Sequence, residues 1–252
     1  MAFSERRPRV LKVGGQELEN ESDLRALAAM VATLPDPLVI VHGGGRGIDA
    51  LLSRLGAVPE KVDGLRRTDP ATLEAVVMTL CGSARLGLVR VLQAAGRDAV
   101  GLSGVDGALL RCRPHARAAE LGRVGTVTSV RVDLLDRLLA AGLTPVLSPV
   151  CLGEDHEVYN VNADDVAAAV AAALGAPRLD FLTDVPGVIV EGRPLASLDA
   201  ADAARLRDSG AIQGGMMPKL NAAFEALRLG VPTVRLTDLA GLAAGTGTRL
   251  HS

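Results

Sequence analysis

The stretch LVIVHGGGRGIDALL, residues 38–52, joins an apolar run to a histidine, three consecutive glycines and a helix-like segment. The apolar run predicts a buried strand, and the segment after the glycines predicts a helix. Glycines at the end of a buried strand let a ligand or another backbone approach closely, because no side chain stands in the way. The turn is therefore a candidate contact for a dinucleotide, an ATP phosphate or a substrate, with an ordinary tight turn as the alternative.

The same alternation of short apolar runs and helical patterns continues along the chain. It predicts an α/β fold with a mostly parallel central sheet and helices on both faces. Ligands bind beyond the carboxyl ends of the strands in such sheets, and glycine-containing turns follow three predicted strands, at 14–15, 43–45 and 184–187. These turns are expected to meet at one edge of the sheet.

Other segments depart from the simple alternation. Residues 69–96 predict one long or broken helix, and residues 109–130 predict an antiparallel hairpin. A soft boundary is expected near residues 175–180. The chain is then a single domain, 1–252, with an N-terminal lobe at about 1–176 and a smaller C-terminal lobe at about 177–252.

Composition limits the class of protein. The 252 residues are 48% hydrophobic and 22% charged, the balance of a soluble globular protein. The net charge of −2 gives no basic surface for nucleic acid. No run of roughly 20 apolar residues predicts a membrane span, and the N-terminus is not that of a signal peptide. Three cysteines without CxxC spacing fit reduced thiols, so we expect a cytoplasmic protein.

The glycine runs match neither of the common nucleotide motifs. A Walker loop requires GxxxxGK[ST], which the sequence lacks, and a GxGxxG reading that starts at Gly43 would place its third glycine on Ile48. HExxH, GxSxG and clusters of His and Cys at zinc spacing are also absent from the sequence. His42 is interpreted as a residue that holds the turn, with a catalytic role as the alternative.

Lysine is scarce in this chain. Only Lys12, Lys61 and Lys219 are lysines among its 27 basic residues. Lys12 and Lys219 both stand close to glycine pairs, which makes them candidates for binding anions. Arginine-favouring codon usage explains the count equally well.

The remaining residues suit phosphoryl transfer without a P-loop. Amides of Gly14 and Gly15 can donate to phosphoryl oxygens, and Lys12 and Lys219 can neutralise the transferring group. Asp164, at a helix start, can orient those lysines. Arg66 offers a fork for a carboxylate, while Asn160 and Asn162 offer amides for a polar substrate. The alternatives are that each lysine or arginine is an ordinary surface charge and that the asparagines cap the helix that follows them.

Seven strings carry a resemblance to a known family. In chain order they are LKVGG, VIVHGGG, GLRRTD, AVGLSGVDG, YNVNADD, FLTDVPGV and GAIQGGMMPKLNAAFEAL. Together they resemble the amino acid kinase family, and within it the bacterial enzymes of arginine biosynthesis that phosphorylate N-acetylglutamate. The resemblance extends from about residue 9 to the closing GTGTRL and implies a three-layer αβα sandwich.

The resemblance also implies roles for individual residues. Lys12 and Lys219 match the lysines that stabilise the transferring phosphoryl group, and Asp164 matches the aspartate that organises them. The residues that match substrate contacts are Gly44, Gly45, Arg66 and Asn160. The residues that match the ATP segments are Asp184, Gly187, Ala211, Ile212 and Gln213.

The implied reaction converts ATP and N-acetyl-L-glutamate to ADP and N-acetyl-L-glutamyl 5-phosphate, with Mg²⁺ as cofactor and no protein-bound metal. Many relatives carry an Asn-Lys pair where this chain has Arg85-Leu86, in a helix that we expect to be structural. Only about eight residues precede the first strand, so we expect a homodimer without the N-terminal helix of arginine-inhibited hexamers. The alternatives are a kinase for carrier-bound aminoadipate and a non-catalytic arginine or nucleotide sensor.

Overall fold

Residues 38–52 form the predicted strand, turn and helix. The computed structural model describes residues 7–15, 18, 20–34, 37–212 and 215–251. Strand β2, Leu38–His42, is buried along its whole length, and helix α2, Gly45–Arg54, follows it directly. A strand that is buried at every residue lies in the middle of a sheet whose two faces are both covered.

The central sheet has eight strands. Six of them run parallel, as predicted. The two strands at one edge, β14 (Ser197–Asp199) and β16 (Thr248–His251), run in the opposite direction, because β16 pairs antiparallel with β15 (Val234–Thr237) and β14 is parallel to β16. From that edge the order is β14, β16, β15, β11 (Leu179–Leu182), β1 (Arg9–Val13), β2, β8 (Thr144–Ser148) and β5 (Ala99–Ser103).

Smaller sheets flank the central one. Residues 109–130 contain the predicted antiparallel hairpin, which belongs to a four-stranded sheet. Two further hairpins have strands of only two residues each. The four-stranded sheet is β10 (Val158–Asn160), β9 (Val150–Gly153), β6 (Leu110–Pro114) and β7 (Gly125–Val130), and the hairpins are β3 (Lys61–Val62) with β4 (Leu65–Arg66) and β12 (Ile189–Val190) with β13 (Arg193–Pro194).

Four of the longer helices begin at side chains that cap them. Asn20, Asp69, Asn162 and Asp199 each accept a hydrogen bond from a backbone N–H in the first turn of the helix that follows. Besides α2, the α-helices of the described residues are, in chain order, α1 (Glu21–Ala32), α3 (Pro70–Val77), α4 (Arg85–Ala94), α5 (Ala118–Leu121), α6 (Val132–Ala140), α7 (Ala163–Ala173), α8 (Ala200–Asp208), α9 (Met216–Arg228) and α10 (Leu239–Ala244). A 3₁₀ turn lies at Asp106–Ala108.

Alternate residues of the central strands enter two separate cores. Val10, Val39 and Val41 pack into the larger core, whereas Leu11 and Ile40 pack into the core on the opposite face. Successive side chains of a strand point to opposite faces, so the sheet is covered on both sides. The predicted αβα sandwich is confirmed, and the predicted lobe boundary near 175–180 remains a prediction.

The predicted long helix is a continuous helical segment, Pro70–Ala94, with a π-helical turn at Met78–Ala84 between α3 and α4. Gly82 has non-helical backbone angles and kinks it. Its 25 residues are long and apolar enough to cross a membrane, so the expectation that no segment approaches such a span is wrong on length and composition. Leu88 and Leu92 pack with Leu27 of α1 in the second core, as in the core helix of a domain.

Candidate active site

The glycine turns after β1 and β2 lie side by side at the carboxyl edge of the sheet. The strands pair in parallel, with Val13 opposite His42, and the N–H of Gly43 donates to the carbonyl of Val13 at 3.0 Å. A Cβ added to Gly15 would lie 3.2 Å from the amide nitrogen of Gly45. A side chain at Gly15 would therefore crowd the backbone of Gly45, and Gly14, which is buried, leads into this contact.

A buried carboxylate connects the two predicted catalytic lysines. Nζ of Lys12 lies 2.7 Å from Oδ1 of Asp164, and Nζ of Lys219 lies 3.5 Å from its Oδ2. Lys12 is at the end of β1, Asp164 is in the first turn of α7, and Lys219 is in the first turn of α9. The structure therefore brings together three residues that lie far apart in the sequence.

The NVNAD run combines a helix cap with the carboxylate that faces the two lysines. The side chain of Asn162 is the N-cap of α7 and accepts a hydrogen bond from the N–H of Asp164 at 2.7 Å. This cap fixes the start of the helix, and the carboxylate of Asp164 is then free to face the lysines. The structural and the chemical interpretations of this run are thus compatible.

Mutual electrostatics shift the pKa values of this cluster. Burial alone raises the pKa of Asp164, but the charges of Lys12 and Lys219 outweigh it and hold that pKa below its ordinary value. Burial and the neighbouring charge of Lys12 lower the pKa of Lys219 to about 8, against the attraction of Asp164. Lys219 is therefore mostly protonated at pH 7, with its proton less firmly held than in an exposed lysine.

A cavity of about 230 Å³ opens in front of this cluster. Its walls combine backbone of the glycine turn, polar groups and apolar side chains. All four predicted substrate contacts lie in the wall, as do Lys12 and Asp164. The principal lining residues are Lys12, Gly15, Gly43, Gly44, Gly45, Ile48, Lys61, Leu65, Arg66, Leu80, Asn160, Val161 and Asp164.

Arg66 is buried and has a protein partner that the sequence did not reveal. Its Nη1 lies 2.5 Å from Oδ1 of Asp49, and its Nη2 donates to the carbonyl of Gly45 at 2.9 Å. Lys61 pairs with the other oxygen of Asp49 at 3.1 Å. An acidic residue in an amphipathic helix is typical of a solvent-facing position, so nothing in the sequence placed Asp49 in the site. Lys61 was notable in the sequence only as one of three lysines.

Asn160 also lines the cavity, at the end of β10. Its Nδ2 donates to the hydroxyl of Thr68 at 3.1 Å, and that hydroxyl donates to the carbonyl of Arg66 at 2.9 Å. The predicted substrate residues Arg66 and Asn160 are therefore connected through one buried hydroxyl group. The carbonyl oxygen of the Asn160 amide side chain remains available as an acceptor.

His42 lies beneath the glycine turn, as interpreted from the sequence. Its Nδ1 is 2.9 Å from the carbonyl of Gly43, which can only accept, and its Nε2 is 2.9 Å from the hydroxyl of Ser148. The same hydroxyl lies 2.8 Å from the carbonyl of Leu80 in the π-helical turn. Burial, reinforced by the charges of Arg85 and Lys12, lowers the pKa of His42 to about 4, so the ring is neutral at pH 7.

The predicted nucleotide residues lie apart from this cavity. Asp184 is exposed just beyond the end of β11, and Gly187 is buried against Thr248. Ala211 is exposed after α8, whereas the side chain of Ile212 belongs to the larger core. None of these four residues is in the cavity wall. Gln213 lies outside the described residues.

Metal-binding side chains do not cluster in the described part of the chain. Among residues 7–15, 18, 20–34, 37–212 and 215–251, no three His, Cys, Asp or Glu side chains are grouped to hold an ion. In the cavity wall, the carboxylate of Asp164 is already paired with lysine. The site is thus built from cations and amide donors, which bind anions.

Comparison with known proteins agrees with this arrangement. The sequence profile of the amino acid kinase family matches residues 7–238 of this chain. The chain belongs to the amino acid kinase family. The resemblance of the seven strings is therefore confirmed, and a kinase activity with ATP as phosphoryl donor follows from the family.

Individual relatives extend over nearly the whole chain. A protein named acetylglutamate kinase from Chloroflexus aurantiacus is 48% identical over 242 residues, which are 95% of each chain. Another of that name, from Methanopyrus kandleri, is 42% identical over 248 residues, covering 95% of this chain and 98% of the relative. A crystal structure from Streptococcus mutans has a TM-score of 0.87 at 27% identity and covers 97% of this chain and 98% of that one.

Proposed function

We propose that this family member transfers the γ-phosphoryl group of ATP to the side-chain carboxylate of N-acetyl-L-glutamate. The products are ADP and N-acetyl-L-glutamyl 5-phosphate, an intermediate of arginine biosynthesis. The observation that carries the proposal is the Lys12–Asp164–Lys219 cluster at a cavity of about 230 Å³. Relatives named acetylglutamate kinase, up to 48% identical, support this acceptor among the substrates of the family.

The reaction needs no general base. A side-chain carboxylate is already ionised at pH 7, so one of its oxygens can attack the γ-phosphorus directly. The bond between that phosphorus and the β–γ bridging oxygen breaks, and ADP leaves with the electron pair. The acidic residue in the cavity wall, Asp164, is held by lysines rather than poised to take a proton.

The main obstacle is the repulsion between an anionic acceptor and the phosphates of ATP. Lys12 and Lys219 supply two positive charges that gather on the transferring group, and burial makes each charge more effective than in water. Asp164 keeps the two ammonium groups close together despite their repulsion. Amides of Gly14 and Gly15 donate to phosphoryl oxygens from the end of β1.

The acceptor binds, in this proposal, at the start of α2. Gly44 and Gly45 present backbone N–H groups and the positive end of the helix dipole to the reacting carboxylate. Arg66 and Asn160 hold the other carboxylate and the acetamido group. Asp49 keeps the Arg66 fork oriented before the acceptor arrives, which reduces the entropy lost on binding.

ATP approaches from the C-terminal lobe. We assign its contacts to Asp184, Gly187, Ala211, Ile212 and Gln213, which follow β11 and α8. The exposed position of Asp184 beyond a parallel strand supports this, because such strand ends face ligands. The N-terminal lobe, about 1–176, then binds the acyl amino acid, and the C-terminal lobe, about 177–252, binds ATP.

Mg²⁺ accompanies ATP in this proposal. It supplies charge neutralisation on the phosphate oxygens, and it prefers octahedral oxygen ligands that substrate phosphates and water provide. The described residues form no acidic cluster for it, so it fits as a companion of ATP rather than as a protein-bound metal.

A homodimer is the proposed assembly. Met78 and Leu86, both on the long helical segment, are large apolar side chains that are 53% and 63% exposed. A second copy of the chain that covers this face would remove both from water. Size-exclusion chromatography with light scattering measures the assembly directly.

An ADP-release assay with a panel of acceptors tests the function. We expect turnover with ATP and N-acetyl-L-glutamate, and hydroxylamine should trap the acyl phosphate as a hydroxamate. Turnover with a carrier-bound aminoadipate instead would support the alternative kinase. Binding of ATP or arginine without turnover on any acceptor would support a sensor and contradict the proposal.

A further inference from the structure

The β3–β4 hairpin, residues 61–66, forms part of the cavity wall but is too small to hold its own position. Each of its strands has two residues, and a two-stranded hairpin is marginal in water. Its turn consists of Asp63 and Gly64, with φ values of 49° and 82°, the left-handed pair of a tight hairpin turn. Contacts with other elements must therefore place the hairpin over the cavity.

Ion pairs hold the hairpin at two places, its base and its tip. At the base, Asp49 of α2 pairs with both Lys61 and Arg66, at 3.1 and 2.5 Å. At the tip, Nη1 of Arg117 lies 2.7 Å from Oδ2 of Asp63. The base pair is partly buried, whereas the tip pair is exposed, and exposed pairs contribute only about 0–1 kcal/mol. The tip therefore depends on a further contact.

That further contact is apolar and comes from the helix that carries Lys219. A Cβ added to Gly64 would lie 2.9 Å from Cγ of Pro218 and 3.8 Å from its Cδ, so the turn backbone lies directly against the proline ring. Pro218 is in the first turn of α9, next to Lys219 in the sequence. The proline ring fixes its own φ, so a push on the ring moves the helix start rather than a flexible side chain.

We infer that Pro218 is a positioning residue that couples closure of the hairpin over the acceptor to the placement of Lys219. This inference rests on the proposed function. Lys219 lies 3.5 Å from Asp164, whereas Lys12 lies 2.7 Å from it, so Lys219 is the less firmly held of the two lysines. An acceptor that fixes the hairpin fixes Pro218 with it, and Lys219 then meets the transferring phosphoryl group.

Three variants separate this coupling from a general effect on structure. Pro218→Ala removes the carbons that contact Gly64, and Pro218→Val restores branched γ-carbons without the ring. Pro70→Ala is the matched control, because Pro70 also lies in the first turn of a helix, α3, and is exposed. Thermal unfolding of each variant establishes that it is folded.

Steady-state kinetics with N-acetyl-L-glutamate and ATP provide the first readout. We expect Pro218→Ala to lower kcat and raise the acceptor KM, each by about 3–10-fold, with the KM of ATP within about twofold of wild type. Pro218→Val should recover part of the loss, because it restores the γ-carbons but not the φ that the ring fixes, and Pro70→Ala should match wild type. A Pro218→Ala enzyme with kcat and acceptor KM within twofold of wild type overturns the inference, as does a Pro218→Val enzyme that is equally impaired.

Amide hydrogen exchange provides a readout that does not depend on the reaction. We expect Pro218→Ala, but not Pro70→Ala, to speed exchange in residues 61–66 of the ligand-free protein by at least about threefold. Unchanged exchange there overturns the coupling. A wild-type protein without turnover on N-acetyl-L-glutamate would instead contradict the proposed function, and exchange would still decide whether Pro218 holds the hairpin.

Discussion

Nζ of Lys12 lies 2.7 Å from Oδ1 of Asp164, although one residue ends a strand and the other begins a helix on a different part of the chain. Both side chains are at least nine-tenths buried. Buried charges are expensive unless they are paired, and both members of this pair also lie in the wall of the cavity. Here the function we assign is to hold Lys12, and Lys219 beside it, at the transferring phosphoryl group.

Replacement of either lysine by arginine tests that assignment. Lys12→Arg and Lys219→Arg keep the charge but put a wide planar group where a compact ammonium fits beside Asp164. We expect kcat to fall by at least about 100-fold in each variant, while both KM values change far less. Steady-state kinetics measure kcat and both KM values, and near-wild-type turnover in both variants would contradict the assignment.

The lowered pKa of Lys219 predicts a pH dependence. Lys219 acts in its protonated form, and its pKa is lowered to about 8, so kcat/KM for ATP should fall as the pH rises through about 8. Bound phosphates favour the charged form, so the corresponding limb of kcat should lie at higher pH. A flat kcat/KM profile between pH 7 and 9.5 in wild type would contradict the role of this group.

The same shift predicts that Lys219 costs stability. A lysine whose pKa is lower in the folded than in the unfolded protein destabilises the fold at every pH below its folded pKa, and the penalty disappears as the pH rises to about 10.5. Lys219→Met should therefore raise the free energy of unfolding by roughly 1–2 kcal/mol at pH 7 and abolish turnover. Denaturant unfolding of wild type and variant at pH 7 and pH 10.5 measures the difference between their free energies of unfolding. A variant that is less stable than wild type at pH 7 would contradict this prediction.

Sequence patterns predicted the parts of the site that follow long strands and helices. Lys12 ends an apolar strand, Gly44 and Gly45 follow another, and Asp164 begins a helix with its own N-cap. Parallel strands bring their carboxyl ends to one edge of the sheet, so a prediction of the strands and helices also predicts where these residues lie. The eight-stranded order and the reversed edge strands, in contrast, depend on tertiary pairing that no local pattern encodes.

Residues on short or ambiguous elements could not be predicted in the same way. The strands of the β3–β4 hairpin have two residues each and leave no periodic pattern. Asp49 belongs to the polar face of α2, and only the fold shows that this face meets Arg66. Leu80, in the cavity wall, belongs to a π-helical turn that interrupts an apolar helix, and such turns are rare and have no simple sequence signal.

The Arg66 fork should set acceptor affinity rather than turnover. A lysine at this position cannot contact Asp49 and the carbonyl of Gly45 at once and still offer a second donor to a carboxylate. We expect Arg66→Lys to raise the KM of N-acetyl-L-glutamate by about 10-fold or more and to change kcat and the KM of ATP much less. An unchanged acceptor KM would remove Arg66 from the binding site.

The hydroxyl of Ser148 should contribute to stability through two buried partners. The single O–H of Ser148 lies within reach of two buried acceptors, Nε2 of His42 and the carbonyl of Leu80, so Ser148→Ala leaves one of them without its donor, and an unsatisfied buried group costs about 1–3 kcal/mol. Ser209→Ala is the matched control, because Ser209 makes the same kind of bond to a carbonyl, of Leu206, at an exposed position. Denaturant unfolding should show the larger loss for Ser148→Ala, and equal losses would contradict this account.

A crystal structure with N-acetyl-L-glutamate and a non-hydrolysable ATP analogue tests the central claim most directly. We predict the side-chain carboxylate of the acceptor at the amides of Gly44 and Gly45, and the γ-phosphate between the ammonium groups of Lys12 and Lys219. The adenine should lie in the C-terminal lobe, away from the glycine turn. Adenine or ribose in the cavity at Gly44 and Gly45 would contradict the account.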